Sequence, residues 1–434
     1  MDARTHGGAI AEGGSEDRAQ RWLLLLLLLV GYVIYNLDKS ILSILIEPLK
    51  AEFGLSDSQI GSLTGIVTTL PAALACLPVG MLADRFNRKR LLIILVTAWS
   101  GMTALCGFAR IAPHLFAARA GVGAFEVGYT PVCMSVLSDA FPPRQRATAM
   151  GVFSLGSPFG VFMGLAIGGL VASAYGWRAA FWIAGIPGLV LAALLAFAMR
   201  EPERGRFDAE ARTASASLLA VLGAMLRDRR ILYVAIGMTC GAVVLAALSI
   251  WTPSFLIRRH GFAVHVAGLA AAVVVGLCGA VGAAAGGAIS DRLGRAAESR
   301  RLLLPIVGPL LSAAFGAVGL IAVESGIAAL ALLGAMAFFG QFYIGAGYGT
   351  MASLTAPRMR GAAMAVILLL FNFVSVSIGA MLVGTVSDLL QPTQGTHAIG
   401  LAIAASGVFS LLAAFCFWRA MRLIARDGLA PRAA

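Results

Sequence analysis

The sequence predicts an all-α membrane protein of 12 transmembrane helices, arranged as two pseudo-symmetric six-helix bundles. Composition, the length of the apolar blocks and a motif that occurs twice carry this expectation. Of 434 residues, 59% are hydrophobic and 12% charged, whereas a soluble domain carries about 25% charged residues. The apolar residues come in long blocks, such as Trp22 to Asn36, Leu91 to Ala109 and Ile327 to Met351. About 20 such residues, rising 1.5 Å each in a helix, cross a hydrocarbon core about 30 Å thick. A helix satisfies its own backbone polar groups, and the alternating ten-residue segments of a membrane barrel are absent.

Spans are expected at 22–47, 58–83, 90–109, 113–138, 146–174, 178–199, 229–257, 264–290, 301–323, 327–352, 361–387 and 396–419. The leucine run after Arg18 and Arg21 is signal-like, but no small-residue cleavage site follows and the apolar pattern resumes at Ile41. The net charge of +12 is a topology signal rather than a nucleic-acid footprint. With the N-terminus inside, 26 of the 33 basic residues fall on the inner side and five on the outer side (Lys50, Arg110, Arg178, Arg258, Arg259). This bias predicts both termini in the cytoplasm. Thirty arginines against three lysines, with much alanine, fit a GC-rich bacterial genome and hence a multi-pass protein of the inner (plasma) membrane. The six cysteines all lie in predicted spans with no CxxC pair, so they read as packing residues and no metal site is expected.

The polar stretch 200–228 divides the chain nearly equally. The expected organisation is a disordered tail (1–19), a first bundle (20–199), a linker with an amphipathic helix on the membrane surface (200–228), a second bundle (229–421) and a cytoplasmic tail (422–434). A repeat supports the division. Gly80, Asp84, Arg85 and Arg88 follow span 2, and Gly287, Asp291, Arg292 and Arg295 follow span 8, each displaced by 207 positions. One such motif is modest evidence, but two at one offset, in the same loop of each half, indicate duplicated bundles. A carboxylate at a helix end beside guanidinium groups can act as a cytoplasmic latch between the halves. Here the sequence resembles the major facilitator superfamily, whose halves each carry Gly-x-x-x-Asp-Arg-x-x-Arg in this loop.

Two acids and two bases lie well inside spans: Asp38, Lys39, Arg119 and Glu126. Charge at that depth costs about 2.5–3.5 kcal/mol on the most lenient scale, so such residues face partners or a cavity. Counting from the span ends, Asp38 lies about 13 Å and Arg119 about 10 Å from the outer edge, so the two can meet. Glu126 is two turns deeper than Arg119 on the same helical face, near mid-membrane. The arrangement predicts a site for substrate binding (Arg119, Asp38) and proton coupling (Glu126 chiefly, Asp38 as gate or counter-ion). Lys39 points about 100° from Asp38 around the helix, toward either an interface or the cavity.

These residues narrow the resemblance. Asn36-Leu-Asp38-Lys39, Arg119-Ala-Gly-Val-Gly-Ala-Phe125-Glu126, Ser138-Asp139-Ala-Phe-Pro-Pro143, Asn87 and Pro253-Ser-Phe-Leu-Ile-Arg258-Arg-His260-Gly261 resemble the spinster-like branch of the superfamily. Phe125, Val127 and Lys39 depart from that branch's Gly, Ala and Arg. Phe125 adds bulk beside Glu126, where it bears on cavity size. Asp139 joins the cytoplasmic gate residues. What the resemblance implies is secondary active transport, proton-linked, of an amphiphilic lysolipid- or sphingolipid-like molecule with an anionic head. The alternative is a drug or hydrophilic organic-anion exporter.

Glycines at 156, 160, 164 and 168 form a small-residue stripe in span 5, suited to close helix packing, and also resemble an antiporter motif. Spans 7, 10 and 11 hold Trp251, Gln341, Tyr343 and Asn372, which are candidates for lining the cavity opposite Arg119. His260 and His265 sit near outer span ends and read as interfacial. No nucleotide-binding loop, HExxH or GxSxG is present. An enzyme, an ATP-driven pump and a cofactor are therefore not expected, and the predicted partners are a lipid-like substrate, protons and the bilayer, with the protein a monomer.

Overall fold

The structure, a computed structural model, describes residues 15–205 and 218–429. The predicted tail residues 1–14 and 430–434 and the linker residues 206–217 lie outside the described residues. Among the described residues the chain is helical, with no strand. Ten apolar helical stretches are long enough to cross a membrane, and two of them, Pro143–Ala198 and Arg360–Arg426, are long enough to cross twice. Each doubles back at a glycine with positive φ, Gly176 (φ 83) and Gly395 (φ 53), a conformation that a Cβ would disfavour. Twelve spans result, as the apolar pattern predicts.

Span 1 is Ser15–Ile44, followed by the short helix Ile46–Phe53. Span 2 is Asp57–Thr64 continued by Ile66–Arg85, span 3 Arg88–Cys106, and span 4 Ala112–Glu126 continued by Tyr129–Ala140. Spans 5 and 6 occupy Pro143–Ala198, and the linker helix Leu218–Arg227 precedes span 7, Arg229–His260. Spans 8, 9 and 10 are Val264–Ala296, Glu298–Ala322 and Gly326–Leu354. Span 11 comprises Arg360–Leu369, a π-helical turn Leu370–Ser375 and Val376–Gln394. Span 12 comprises Ala398–Ala405 and Gly407–Leu429.

Polar residues outside the apolar runs fix the starts. Ser56 and Gln59 form a reciprocal capping box for span 2, and Asn87, Asp228 and Ser325 accept from the first turns of spans 3, 7 and 10. Gly54 and Gly261 end their helices in the left-handed conformation. The glycine stripe of span 5 packs on span 1. A methyl added at Gly164 would lie 2.6 Å from the Leu37 carbonyl oxygen, and one at Gly168 2.7 Å from Ile41. Close packing thus accounts for the stripe.

The end of the molecule that carries Ser15 is here the N-terminal face, and the opposite end, with the turns at Gly54, Gly176, Gly261 and Gly395, the far face. The two halves meet tightly toward the far face. Span 2 packs on span 11, where a methyl at Gly61 would lie 2.6 Å from the Ala380 carbonyl oxygen. Span 5 packs on span 8 through Gly169 and Gly268. Ions then lock this seam. Asp57, fully buried, accepts from both terminal nitrogens of Arg258 (2.6 and 2.7 Å), from Ser387 Oγ (2.6 Å) and from Lys50. Arg258 also reaches Glu47 (2.8 Å). Asp388 of span 11 accepts from the backbone N–H groups of Asp57 and Ser58 at 2.9 and 2.8 Å, so a carboxylate of the second half caps a helix of the first.

Asp57→Ala would remove the buried carboxylate that Arg258 and Lys50 share and leave Arg258 with Glu47 alone, a loss below the about 3–5 kcal/mol of a fully stranded buried charge. The purified protein should melt several degrees lower in detergent. An unchanged melting temperature would show that the seam does not rest on this network.

Candidate functional site

The repeated loop motif is placed first. Arg88 is buried and binds Asp139 (2.5 Å), Glu201 (3.3 Å) and the Pro202 carbonyl oxygen (2.8 Å). Its contacts stay inside the first half and the start of the linker, as does the Gly205 N–H to Asp139 (3.2 Å). In the second copy Asp291 is 73% exposed and pairs with Arg301 at 3.3 Å, again within its own half. Arg85, Arg292 and Arg295 are exposed, and a methyl at Gly80 would meet nothing within 4 Å. The Asp84 side chain lies outside the described residues. Of the motif residues, Arg88 and Asp291 thus pair within their own halves, and the described inter-half ion pairs sit at the far face.

Mid-span, the predicted charges come together in two groups. Arg119 donates to Asp38 Oδ1 at 3.0 Å, and Thr103 Oγ1 donates to Asp38 Oδ2 at 2.5 Å. Both ionic side chains are almost wholly buried (3% and 1% exposed). The depth count therefore brings the right pair together. Asp38 is fully engaged, with one donor on each oxygen.

Glu126 is placed differently. On the sequence the nearest buried cation on its own helix is Arg119, two turns away, but the structure gives it Lys39, with Nζ 4.0 Å from Oε1. The reason is rotational: Lys39 leaves span 1 on the side that faces the deeper part of span 4. That Glu126 oxygen is buried and has no hydrogen-bond partner. Lys39 itself is about two-fifths exposed, lies 4.4 Å above the Tyr35 ring, donates to Tyr35 Oη (2.7 Å) and reaches Asn372 Oδ1 of span 11 at 3.5 Å. Lys39 thus sits between the halves, partly exposed and in reach of both. Asn372 sits on the π-helical turn of span 11, an irregularity that often marks a functional position. Phe125 is also exposed beside Glu126.

Other candidates lie elsewhere. Trp251 is fully buried and donates to the Ala380 carbonyl oxygen (3.2 Å), which fixes span 7 to span 11 instead of lining the opening. Tyr343 is buried against Gly241 and Phe417 inside the second half, its hydroxyl without a partner. Gln341 is buried beside Gly279 of span 8, with Oε1 unpaired. An indole or phenol in a span fits a helix interface as readily as a cavity, and composition does not separate the two. Conversely, sequence reasoning missed Thr103, Tyr32 and Tyr35. Tyr32 stacks on Tyr35 and Phe153, and Tyr35 on Tyr129. The i−4 spacing of Tyr35 from Lys39 was the available signal. Among the described residues no three His, Cys, Asp or Glu side chains gather as a metal site.

Residues 28–380 match the sequence model of the Major Facilitator Superfamily. The chain belongs to this superfamily. It is 29% identical over 404 residues to an MFS-type efflux pump of Mycolicibacterium smegmatis, covering 92% of each chain. It is 25% identical over 392 residues to protein spinster homolog 1 of Xenopus tropicalis, covering 85% of this chain and 73% of the relative. Its fold is similar to a bacterial homologue of the human lysosomal transporter spinster, solved inward-facing and unoccupied. The TM-score is 0.87 at 26% identity, covering 95% of this chain and 99% of the other. The protein is a spinster-like, multi-pass membrane transporter of the superfamily, not an enzyme.

Removing one member of the buried Asp38–Arg119 pair strands the other charge at a cost of about 3–5 kcal/mol. Arg119→Ala should lower the melting temperature by more than the neutral double variant Asp38→Asn/Arg119→Gln. If the double variant is no more stable than Arg119→Ala, the pair is not what holds spans 1 and 4 in register.

Proposed function

We propose that the protein is a proton-coupled secondary transporter of an anionic amphiphile, lysolipid- or sphingolipid-like, working by alternating access in the bacterial inner membrane with both termini cytoplasmic. The observation that carries this reading is the contrast between two buried carboxylates 88 positions apart in the chain. Asp38 has a donor on each oxygen, one of them the Arg119 guanidinium. Glu126 has a buried oxygen without a hydrogen-bond partner and one cation at 4.0 Å. Proton uptake removes the cost of that uncompensated charge.

Lys39 links the proton to the substrate. It touches Glu126 of the first half and Asn372 of the second, and it faces the opening. An anionic head entering the opening competes for Lys39. Glu126 then loses its counter-charge and takes up a proton, so anion capture and protonation favour each other. The apolar surface beside the site, including Phe125, suits a hydrocarbon tail. The efflux pump among the relatives favours a second reading, export of a drug-like compound, and the same cavity chemistry serves it if that compound is amphiphilic.

The conformation supports the cycle. The far face is sealed by the Asp57 network. At the N-terminal face Gly80 of span 2 and Gly361 of span 11 both look onto open space. These are the two spans whose glycines already meet at the far face. Alternating access would break the far contact and form the near one, with small residues on both sides of the membrane admitting close approach. We read the present state as inward-facing.

In proteoliposomes under an imposed pH gradient, lysolipids and small organic anions should be tried side by side. Glu126→Gln should abolish gradient-driven accumulation but keep exchange at zero gradient, while Asp38→Asn should damage both. The coupling assignment fails if Glu126→Gln still accumulates substrate against a gradient. Uptake of hydrophilic organic anions alone would sink the amphiphile reading.

Gly80→Leu separates structure from cycle. The added side chain meets open space here, so the melting temperature should stay within about 1 °C of wild type. Transport should fall at least tenfold if the N-terminal face must close. Full transport by this variant would show that spans 2 and 11 never approach there.

A further inference from the structure

Away from the central site, the N-terminal face holds a wide-open, shallow depression of about 460 Å³. Its walls come from three separate elements: Ala224 and Arg227 of the linker helix, Asp228 to Arg230 at the start of span 7, and Leu423 near the end of span 12. Three of its six lining residues are arginines. Asp228 is committed, its two oxygens accepting from Arg230 Nε (3.0 Å) and Nη2 (2.7 Å). The hydrogen bonds from Arg230 hold the Asp228 carboxyl below the usual carboxylate range, so it remains an anion bound to its own cation. Arg227 and Arg229 are exposed and pair with no carboxylate among the described residues.

Span 12 adds to the charge. Arg419 and Arg426 flank Leu423 at i−4 and i+3, on one helical face. Arg419 lies over the Tyr233 ring at 5.8 Å, which brings it to the first turn of span 7. On the linker helix, Val221 and Met225 are buried against the bundle, and Leu226, next to Arg227, is 65% exposed. An apolar side chain at the level of a basic depression on a membrane surface matches one ligand geometry, an acyl chain beneath a phosphate.

We propose that this depression binds the phosphate headgroup of an anionic bilayer phospholipid, with Arg227 and Arg229 as its principal ligands and Leu226 against the acyl chain. Basic pockets between helices at a membrane surface recognise such headgroups, and guanidinium groups match phosphate oxygens in pairs. The lipid would pin the linker helix to the ends of spans 7 and 12, and so to the second half.

The test uses the purified full chain in neutral detergent, with melting temperature as the readout. Phosphatidylglycerol, phosphatidylcholine of the same acyl chains, and inorganic phosphate are titrated separately. Wild type is compared with Arg227→Ser/Arg229→Ser and with a control, Arg90→Ser/Arg144→Ser, whose arginines are exposed on the same face. Phosphatidylglycerol alone should raise the melting temperature of wild type and control, and the site variant should lose at least half of that shift. The proposal is overturned if phosphatidylcholine acts equally, if inorganic phosphate reproduces the effect, if the site variant keeps the full shift, or if both variants lose it alike through general loss of charge.

Discussion

A charge withdrawn from water must find a counter-charge or donors inside the protein, and the placement of the buried ions in this transporter follows from how each one does so. Among the described residues the buried charged side chains are Asp38, Asp57, Arg88, Arg119, Glu126 and Asp139, and all belong to the first half. Asp139 and Arg88 satisfy each other beneath the loop between spans 2 and 3. Asp38 and Arg119 do so between spans 1 and 4. Asp57 takes Arg258 from the second half beside Lys50 of its own, and the first of these closes the far face. Glu126 has the weakest answer, and its cation also touches the second half. Pairs within a half make that half rigid, and pairs between halves set their relative position.

Backbone approach is governed by a second constraint, the absence of side chains at glycine. The stripe from Gly156 to Gly168 seats span 5 on span 1 inside one half, while Gly61 and Gly384 use the same means between halves. The first contact is reinforced by continuous apolar packing. The second is reinforced by ions whose partners are water-accessible at the far face, Glu47 and Lys50 being part-exposed. A seam that water can reach is one that water can replace, since solvation of the separated ions offsets much of their attraction. On the proposed cycle the same geometry would be permanent in one place and reversible in the other.

Much of this was legible in the sequence. Long apolar runs give the spans because hydrocarbon thickness sets their length, and the duplicated motif gives the halves. Asp38 and Arg119 could be paired from depth alone, since rise per residue is fixed. The partner of Glu126 could not, because depth says nothing of the rotation of span 1 relative to span 4, and that rotation selects Lys39. Trp251 and Tyr343 were misplaced for the same reason. The Asp57 network was invisible in another way. Glu47, Asp57 and Asp388 sit near predicted span ends, where isolated charges are ordinary, and only the fold shows that Arg258 meets two of them. Lys50 and Arg258 were counted as outward charges when their acids were the more telling feature.

The asymmetry between the halves has a mechanical consequence. The second half brings neutral groups to the centre, Asn372 at the surface of the opening and Gln341 within its packing, and brings Arg258, Ser387 and Asp388 to the far face. Its attachment to the first half is thus ionic at one end and neutral in the middle, where Lys39 reaches Asn372 at 3.5 Å and the hydroxyls of Thr69 and Ser377 meet at 2.7 Å. Arg258 gives both terminal nitrogens to Asp57, so tilting the halves does not loosen this contact by degrees but breaks a bidentate pair. On the proposed alternating-access cycle, the seam would have two states, and a central ligand would shift the balance only through its differential affinity for them; Lys39, the mid-span cation that touches both halves, is where that difference would arise.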